Sequence, residues 1–171
     1  MIFVSLGTQD KPFKRILDDL KTLKLDEEVI VQAGFTKYQC EDFKIYDYLT
    51  PEELNKCLDE ARIIIAHGGV GTIMQALKRG KTVIACPRLA KYGEHQNDHQ
   101  KQIVDNFANS GYILAYNDGD DLKKLLKEAE NFKANEFLAN KDNFLAKFAD
   151  YIESLWNVVF DIGLICYNNK T

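Results

Sequence analysis

Short apolar runs alternate with amphipathic segments along most of the chain. Runs typical of buried strands occupy residues 2–6, 29–33, 43–49, 62–66, 82–86 and 112–116. Between them, apolar residues recur at helical spacing, as at Phe13, Ile16 and Leu20. This alternation predicts an α/β fold with a doubly wound, mostly parallel, Rossmann-like sheet and right-handed crossovers.

Capping residues predict where several helices begin and end. The segment Thr50-Pro51-Glu52-Glu53 combines an N-cap residue, a proline at the first helical position and a capping-box glutamate. Asp10 with Pro12 predicts another helix start. A helix over residues 96–109 is predicted to end just before Gly111, which suits a left-handed C-terminal position.

The chain after about residue 130 has a different pattern. Residues 135–160 form one long helical pattern with a stripe of large apolar side chains: Phe144, Leu145, Phe148, Ile152, Leu155, Trp156 and Val159. We therefore expect a domain over residues 1–130 and a long C-terminal helical region over residues 131–171. The stripe is expected to pack either on the domain itself or on a partner.

Composition narrows the class of protein. The 171 residues suit one domain, and an apolar share of 46% is enough for a core. A net charge of −4 without a basic block argues against a nucleic-acid partner. The four cysteines form no CxxC motif, which favours a reducing cytosol, and neither a signal peptide nor a membrane span is predicted.

Candidate chemistry follows two of the predicted strands. Gly7-Thr8 follows the first, and His67-Gly68-Gly69-Val70-Gly71-Thr72 follows the isoleucine-rich fourth. Glycines permit close backbone approach, and the start of the next helix favours an anion such as a diphosphate. Glycine-rich turns also occur for packing alone. The GxxxxGK[ST] loop and the GxGxxG fingerprint are both absent, which disfavours a dinucleotide-dependent oxidoreductase.

The glycine string extends into a longer resemblance. Four segments together resemble the donor-binding half of GT-B glycosyltransferases of the MurG-like group, family 28. They are His67-Gly68-Gly69-Val70-Gly71-Thr72-Ile73-Met74-Gln75-Ala76-Leu77, Gly80-Lys81, Pro87-Arg88 and Tyr92-Gly93-Glu94-His95-Gln96-Asn97-Asp98-His99-Gln100. The opening Met1–Thr8 resembles the small split members of that group. Those include the catalytic subunits of the eukaryotic dolichol-linked N-acetylglucosaminyltransferase and of bacterial exopolysaccharide or capsule glucosyl- and galactosyltransferases. The resemblance covers residues 1 to about 117.

The resemblance implies a set of site residues. The donor diphosphate would contact Gly7, Thr8, His67, Gly68, Gly69, Gly71 and Thr72. Gln75 stands where the family usually has a glutamate for the ribose, and an amide has one acceptor oxygen fewer than a carboxylate. The donor sugar would contact Glu94, His95, Gln96, Asn97, His99 and Gln100. His95 and His99 share a helical face, but two histidines are too few for a typical zinc site, so no metal is expected.

The resemblance also implies a function. A metal-independent, inverting enzyme without a cofactor would transfer a hexose from UDP-glucose, UDP-galactose or UDP-N-acetylglucosamine to a polyprenyl-diphosphate-linked glycan. The acceptor-binding half would come from a membrane-anchored partner subunit, which would hold this chain at the cytoplasmic side of the membrane. The general base would lie on that partner. The alternative is a UDP-sugar-binding regulatory subunit without catalytic residues.

Overall fold

Six parallel strands form the centre of the part of the chain that the computed structural model describes, residues 1–136. The strand order is β3-β2-β1-β4-β5-β6, and every neighbouring pair is parallel. The predicted doubly wound α/β sheet is confirmed. The strands are β1 (Ile2–Ser5), β2 (Val29–Gln32), β3 (Phe43–Tyr46), β4 (Ile63–His67), β5 (Thr82–Cys86) and β6 (Leu114–Ala115).

Five helices cover both faces of the sheet; four lie between strands along the chain, and the fifth follows β6. They are α1 (Arg15–Thr22), α2 (Pro51–Glu60), α3 (Val70–Leu77), α4 (His99–Asn109) and α5 (Leu122–Ala129). One core cluster joins alternate strand residues to α1 and α5, and the other joins the intervening residues to α2, α3 and α4. In β1, for example, Val4 belongs to the first cluster and Phe3 to the second. The alternation explains why the strands read as continuous apolar runs.

Strand order reverses beside β1. The chain builds β1, β2 and β3 outward in one direction and then returns to place β4 on the other side of β1. Ser5, the last residue of β1, is in register with Ala66 near the end of β4. The loops that follow β1 and β4 therefore leave the sheet side by side, at the position where open parallel sheets bind their ligands.

Several helix boundaries match the prediction. Thr50 caps α2 with both hydrogen bonds of a capping box, and Gly111 has a φ of 70° just beyond α4. The predicted helix start at Asp10 is wrong, because α1 begins at Arg15. Residues 10–14 are held as a loop by distant groups: the Lys11 carbonyl accepts a hydrogen bond from a buried arginine, and Phe13 N donates to Thr36 Oγ1 at 3.0 Å.

The helix predicted over residues 96–109 begins three residues later, at His99, and the strands predicted over 43–49 and 112–116 are shorter than expected. The apolar stripe from Phe144 to Val159 lies outside the described residues. The boundary between residues 130 and 131 therefore stays a prediction. Among residues 1–136, no helix has the length and apolar character needed to cross a bilayer.

Candidate functional site

The loops after β1 and β4 meet at the reversal point of the sheet. His67 is the last residue of β4, and Gly69 is the N-cap residue of α3. The hydroxyl groups of Ser5 and Thr72 lie 3.5 Å apart and link the end of β1 to the first turn of α3. The predicted diphosphate residues of both loops are therefore brought together, with Thr8 and Gly71 exposed beside them.

The imidazole of His67 lies against two of the glycines. A Cβ added to Gly7 would lie 2.6 Å from both Cε1 and Nε2 of the ring, and Gly7 also has a φ of +77°. A Cβ added to Gly69 would lie 2.9 Å from Cδ2 and Cε1 and closer still to Nε2. Glycine is thus needed at both positions to leave room for the histidine ring. From the sequence alone, these glycines were explained by close approach of the backbone to a ligand.

The hydrogen bonding of His67 defines which ring nitrogen carries the proton. Nδ1 lies 3.3 Å from the carbonyl oxygen of Ser5. A carbonyl oxygen only accepts, so Nδ1 carries the hydrogen and Nε2 of the neutral ring is an acceptor. Burial, together with the charges of Arg88 and His95, lowers the pKa of His67 to about 4, although the hydrogen bond to Ser5 acts in the opposite direction. His67 is therefore neutral at pH 7, and its Nε2 can donate to an anion only after it takes up a proton.

Helix α3 begins without a side-chain cap. Gly69 supplies no capping group, and the first turn carries no acidic residue. Thr50 caps α2 and Asp121 caps α5 with side-chain oxygens, whereas α1 and α4 share with α3 the lack of a side-chain cap. The amide groups and the positive dipole end of α3 are thus left for an external anion, next to the exposed Gly71 and the half-buried Thr72.

Gln75 lies on the same helix, one turn beyond this start. It is half-buried, and its backbone carbonyl accepts a hydrogen bond from Arg79 at 3.0 Å. Residues three and four apart share a helical face, so Gln75 lies on the face of Gly71 and Thr72. A ligand anchored at the start of α3 can extend along this face to reach the Gln75 amide.

The predicted sugar-binding segment divides into engaged and available side chains. Glu94 is buried, forms a salt bridge with Arg15 at 3.2 Å and accepts a hydrogen bond from Leu89 N at 3.0 Å. Gln100 is also buried, and its Oε1 accepts hydrogen bonds from Gly68 N and Arg88 N, each at 3.1 Å. Both side chains are therefore bonded within the protein.

The other members of the segment lie at the surface. Gln96, Asn97 and His99 are exposed and His95 is half-buried. His95 Nδ1 accepts a hydrogen bond from Asn97 N, and Asn97 Oδ1 accepts one from His99 N, so the turn before α4 is locally ordered. Within residues 1–136, no three His, Cys, Asp or Glu side chains form a group suited to a metal ion. Metal independence stays a prediction.

Arg88 is a structural residue whose role the sequence did not indicate. Its guanidinium is fully buried and donates to the carbonyl oxygens of Lys11 at 2.6 Å, Leu6 at 2.8 Å and Glu94 at 3.1 Å. It also lies 5.0 Å from the centre of the Phe13 ring, and burial lowers its pKa. Arg88 thereby ties the loop after β1 to the loop after β5. The Pro87-Arg88 pair did not indicate this role, because two of the three acceptors, Leu6 and Lys11, lie far from Arg88 in sequence.

Cavity volume does not locate this site. A cavity of about 710 Å³ lies at the opposite edge of the sheet, where Tyr38, Cys40 and Phe43 surround the start of β3. A cavity of about 450 Å³ borders the predicted sugar-binding segment and is lined by Arg15, Tyr92 and Glu94 together with residues of α1. The glycine loops are instead recognised by their position at the strand ends and by the open start of α3.

The sheet order and the glycine loops define a Rossmann-like domain. Residues 1–155 match the glycosyltransferase family 28 C-terminal domain, and the chain belongs to that family. It is 28% identical over 102 residues to the UDP-N-acetylglucosamine transferase subunit ALG13 of Candida glabrata, a match covering 59% of this chain and 48% of that protein. The chain thus spans about half the length of this curated relative.

Solved structures show the same fold. The glycosyltransferase of kitacinnamycin has a TM-score of 0.58 and 16% identity, covering 75% of this chain and 34% of that one. The solution structure of ALG13 has a TM-score of 0.51 and 18% identity, and the match covers 80% of this chain and 88% of that one. MurG of Acinetobacter baumannii has a TM-score of 0.51 and 18% identity, and the match covers 75% of this chain and 40% of that one. At these identities the likeness concerns the fold alone.

Proposed function

We propose that this chain is the donor-binding subunit of a glycosyltransferase and holds the diphosphate of a UDP-sugar where its two glycine loops meet. The observation that carries the proposal is the uncapped start of α3, which directly follows β4 at the reversal of strand order. Backbone N–H groups and the helix dipole favour an anion there. Thr8 and Thr72 add hydroxyl groups within the same small region.

His67 gives this site a proton-dependent character. Its neutral ring presents an acceptor at Nε2, and a phosphate oxygen is also an acceptor, so the two repel unless a proton is added. A nearby diphosphate raises the pKa of the ring because opposite charges favour the protonated form. Protonated His67 and the start of α3 would then stabilise the departing UDP, where negative charge develops during transfer.

The rest of the donor has candidate partners in neighbouring segments. Gln75 is one turn along α3 from the diphosphate region and is proposed to contact the ribose, and the surface side chains of His95, Gln96, Asn97 and His99 offer directional groups for sugar hydroxyls. The sugar is proposed to be glucose, galactose or N-acetylglucosamine. The name of the Candida glabrata relative, a UDP-N-acetylglucosamine transferase subunit, supports a UDP-sugar donor.

Transfer is proposed to need a second polypeptide. The family 28 match is to a C-terminal domain, and the named relative is itself described as a subunit. A membrane-anchored partner would bind a polyprenyl-diphosphate-linked acceptor and keep this chain at the cytoplasmic side of the membrane. The reaction would invert the anomeric centre, in polysaccharide, capsule or related glycan synthesis, with the general base on the partner.

One observation favours the alternative of a non-catalytic UDP-sugar-binding subunit. The Glu94 carboxylate is buried and paired with Arg15, so it is not free to deprotonate an acceptor hydroxyl. If the partner supplies the base, the assembled pair transfers sugar. If the partner is a complete enzyme, this chain only binds the donor, and the partner keeps its activity when the chain carries His67→Ala.

Thermal unfolding in the presence of nucleotides tests the donor proposal. A ligand that binds only the folded chain raises its Tm by mass action. UDP and at least one of UDP-glucose, UDP-galactose and UDP-N-acetylglucosamine should raise the Tm, whereas NAD should not. A Tm raised by NAD and unaffected by the four uridine nucleotides would instead favour a dinucleotide-dependent oxidoreductase.

A further inference from the structure

Gln100 connects two loops that follow different strands of the sheet. Its Oε1 accepts a hydrogen bond from Gly68 N, in the loop after β4, and another from Arg88 N, in the loop after β5. The side chain stands in the first turn of α4 and is only 8% exposed. One amide oxygen therefore joins three segments of the chain in a region from which water is largely excluded.

The backbone around Gly68 is shaped to fit this arrangement. A Cβ added to Gly68 would lie 2.7 Å from Gln100 Cβ, 2.9 Å from its carbonyl oxygen and 3.1 Å from Val104 Cγ2. Two of these atoms belong to the rigid part of α4, so they cannot move aside as the end of a long side chain could. The glycine loop thus lies directly on the first turns of α4, and Gln100 bonds to it at the point of closest approach.

We propose that Gln100 is a positioning residue for the diphosphate loop and does not contact the donor sugar. Its bond to Gly68 N sets the orientation of the peptide group between His67 and Gly68. That peptide determines where the His67 ring lies and in which direction α3 begins. The inference rests on the proposed function, in which this loop holds the diphosphate of a UDP-sugar.

The two possible roles of Gln100 have different consequences for affinity. A sugar ligand contributes to the binding of a UDP-sugar and nothing to the binding of UDP. A residue that positions the diphosphate loop contributes equally to both, because both ligands carry the diphosphate. The ratio of the two affinities therefore separates the roles, whatever the absolute values are.

Gln100→Met is the central variant because it has nearly the same shape and no strong acceptor. Amide hydrogen exchange should become several-fold faster at Gly68 N and Arg88 N, since each loses one hydrogen bond. Calorimetry should show UDP and the UDP-sugar weakened alike, by roughly tenfold, with an unchanged ratio. Gln102→Met, at an exposed position two residues further along α4, is the matched control and should change none of these values.

Gln100→Glu tests the same oxygen with the acceptor retained. Its carboxylate can accept both N–H groups, so exchange at Gly68 and Arg88 should stay close to that of the wild type. Its added charge disfavours UDP more than the UDP-sugar, because UDP carries the more negative terminal phosphate, so the ratio of UDP-sugar to UDP affinity should not fall. A sugar ligand would show a fall in that ratio, because Glu lacks the amide donor.

The outcomes separate this inference from the proposed function. If the wild type binds no UDP, the proposed function fails, while faster exchange in Gln100→Met would still establish the connection between the loops. Unchanged exchange in Gln100→Met overturns that connection. Faster exchange with unchanged UDP affinity, or a selective loss of UDP-sugar affinity, overturns the positioning role.

Discussion

Replacing Gly69 with alanine isolates the contact between the glycine loop and the His67 ring. Gly69 has a φ of −84° and a ψ of 129°, which alanine adopts without strain. The added methyl group would nevertheless lie 2.9 Å from two ring carbons and closer to Nε2, so the ring or the loop must move. Overpacking of this kind costs about 1–3 kcal/mol in the free energy of unfolding.

The cost should vanish when the ring is absent. His67→Ala alone destabilises the domain because Ser5 loses its hydrogen-bond donor, at about 1–3 kcal/mol if the carbonyl stays buried. In the double variant His67→Ala/Gly69→Ala, the methyl group occupies space that the ring has left. We therefore expect the two changes to be non-additive, with the double variant about 1–3 kcal/mol more stable than the sum predicts.

Urea denaturation of the wild type, the two single variants and the double variant measures this coupling. Gly71→Ala is the control, because its Cβ would meet nothing within 4 Å and alanine suits a helix, so stability should stay constant or rise by up to about 1 kcal/mol. Gly7→Ala should recover only in part with His67→Ala, since its φ of +77° remains unfavourable. Additivity of the Gly69 and His67 changes to within about 0.5 kcal/mol would refute the proposed contact.

Three further predictions follow from the site and the chain. The pKa of His67 is about 4 in the folded chain and 6.5 in the unfolded chain, so between pH 6.5 and pH 4 the unfolded chain binds a proton that the folded chain does not. The free energy of unfolding should therefore fall from pH 7 to pH 4 by about 3 kcal/mol more in the wild type than in His67→Gln, as measured by urea denaturation at each pH. Gln75→Glu should preserve or tighten UDP binding and Gln75→Leu should weaken it in calorimetry, whereas equal affinities would make Gln75 a surface residue. The purified chain should transfer no sugar until a membrane-anchored partner is co-expressed, and Trp156→Ala should weaken that association more than UDP binding; transfer by the chain alone in detergent would contradict this.

The sheet could be predicted because its signals are local. Buried strands of a parallel sheet are apolar on both faces, and the capping box at Thr50 marks a helix start within four residues. The loop from His67 to Thr72 was recognisable for the same reason, since strand, glycines and helix are consecutive in the chain. Its location at the reversal point then followed from the α/β alternation.

The parts of the site that the sequence did not reveal depend on contacts between distant segments. Arg88 reads as an ordinary charged residue after a proline, and its burial depends on carbonyl groups that lie as far away as Leu6. Gln100 was expected to contact the sugar, and its bonds to two other loops are visible only in the folded structure. The wrong helix start at Asp10 has the same origin, because Arg88 and Thr36 hold residues 10–14 outside the helix.

Calorimetric titration of UDP and UMP into the wild type and His67→Ala tests the central claim, that the loops at the ends of β1 and β4 bind the diphosphate of a uridine nucleotide. The wild type should bind UDP more tightly than UMP, and UDP binding should strengthen as the pH falls from 8 to 6 because His67 takes up a proton. His67→Ala should remain folded and lose roughly 1.5–3 kcal/mol of UDP affinity, the usual contribution of a hydrogen bond to a charged group, with a smaller loss for UMP. A wild type that binds no UDP, or a folded His67→Ala variant with unchanged UDP affinity at every pH, would contradict the claim.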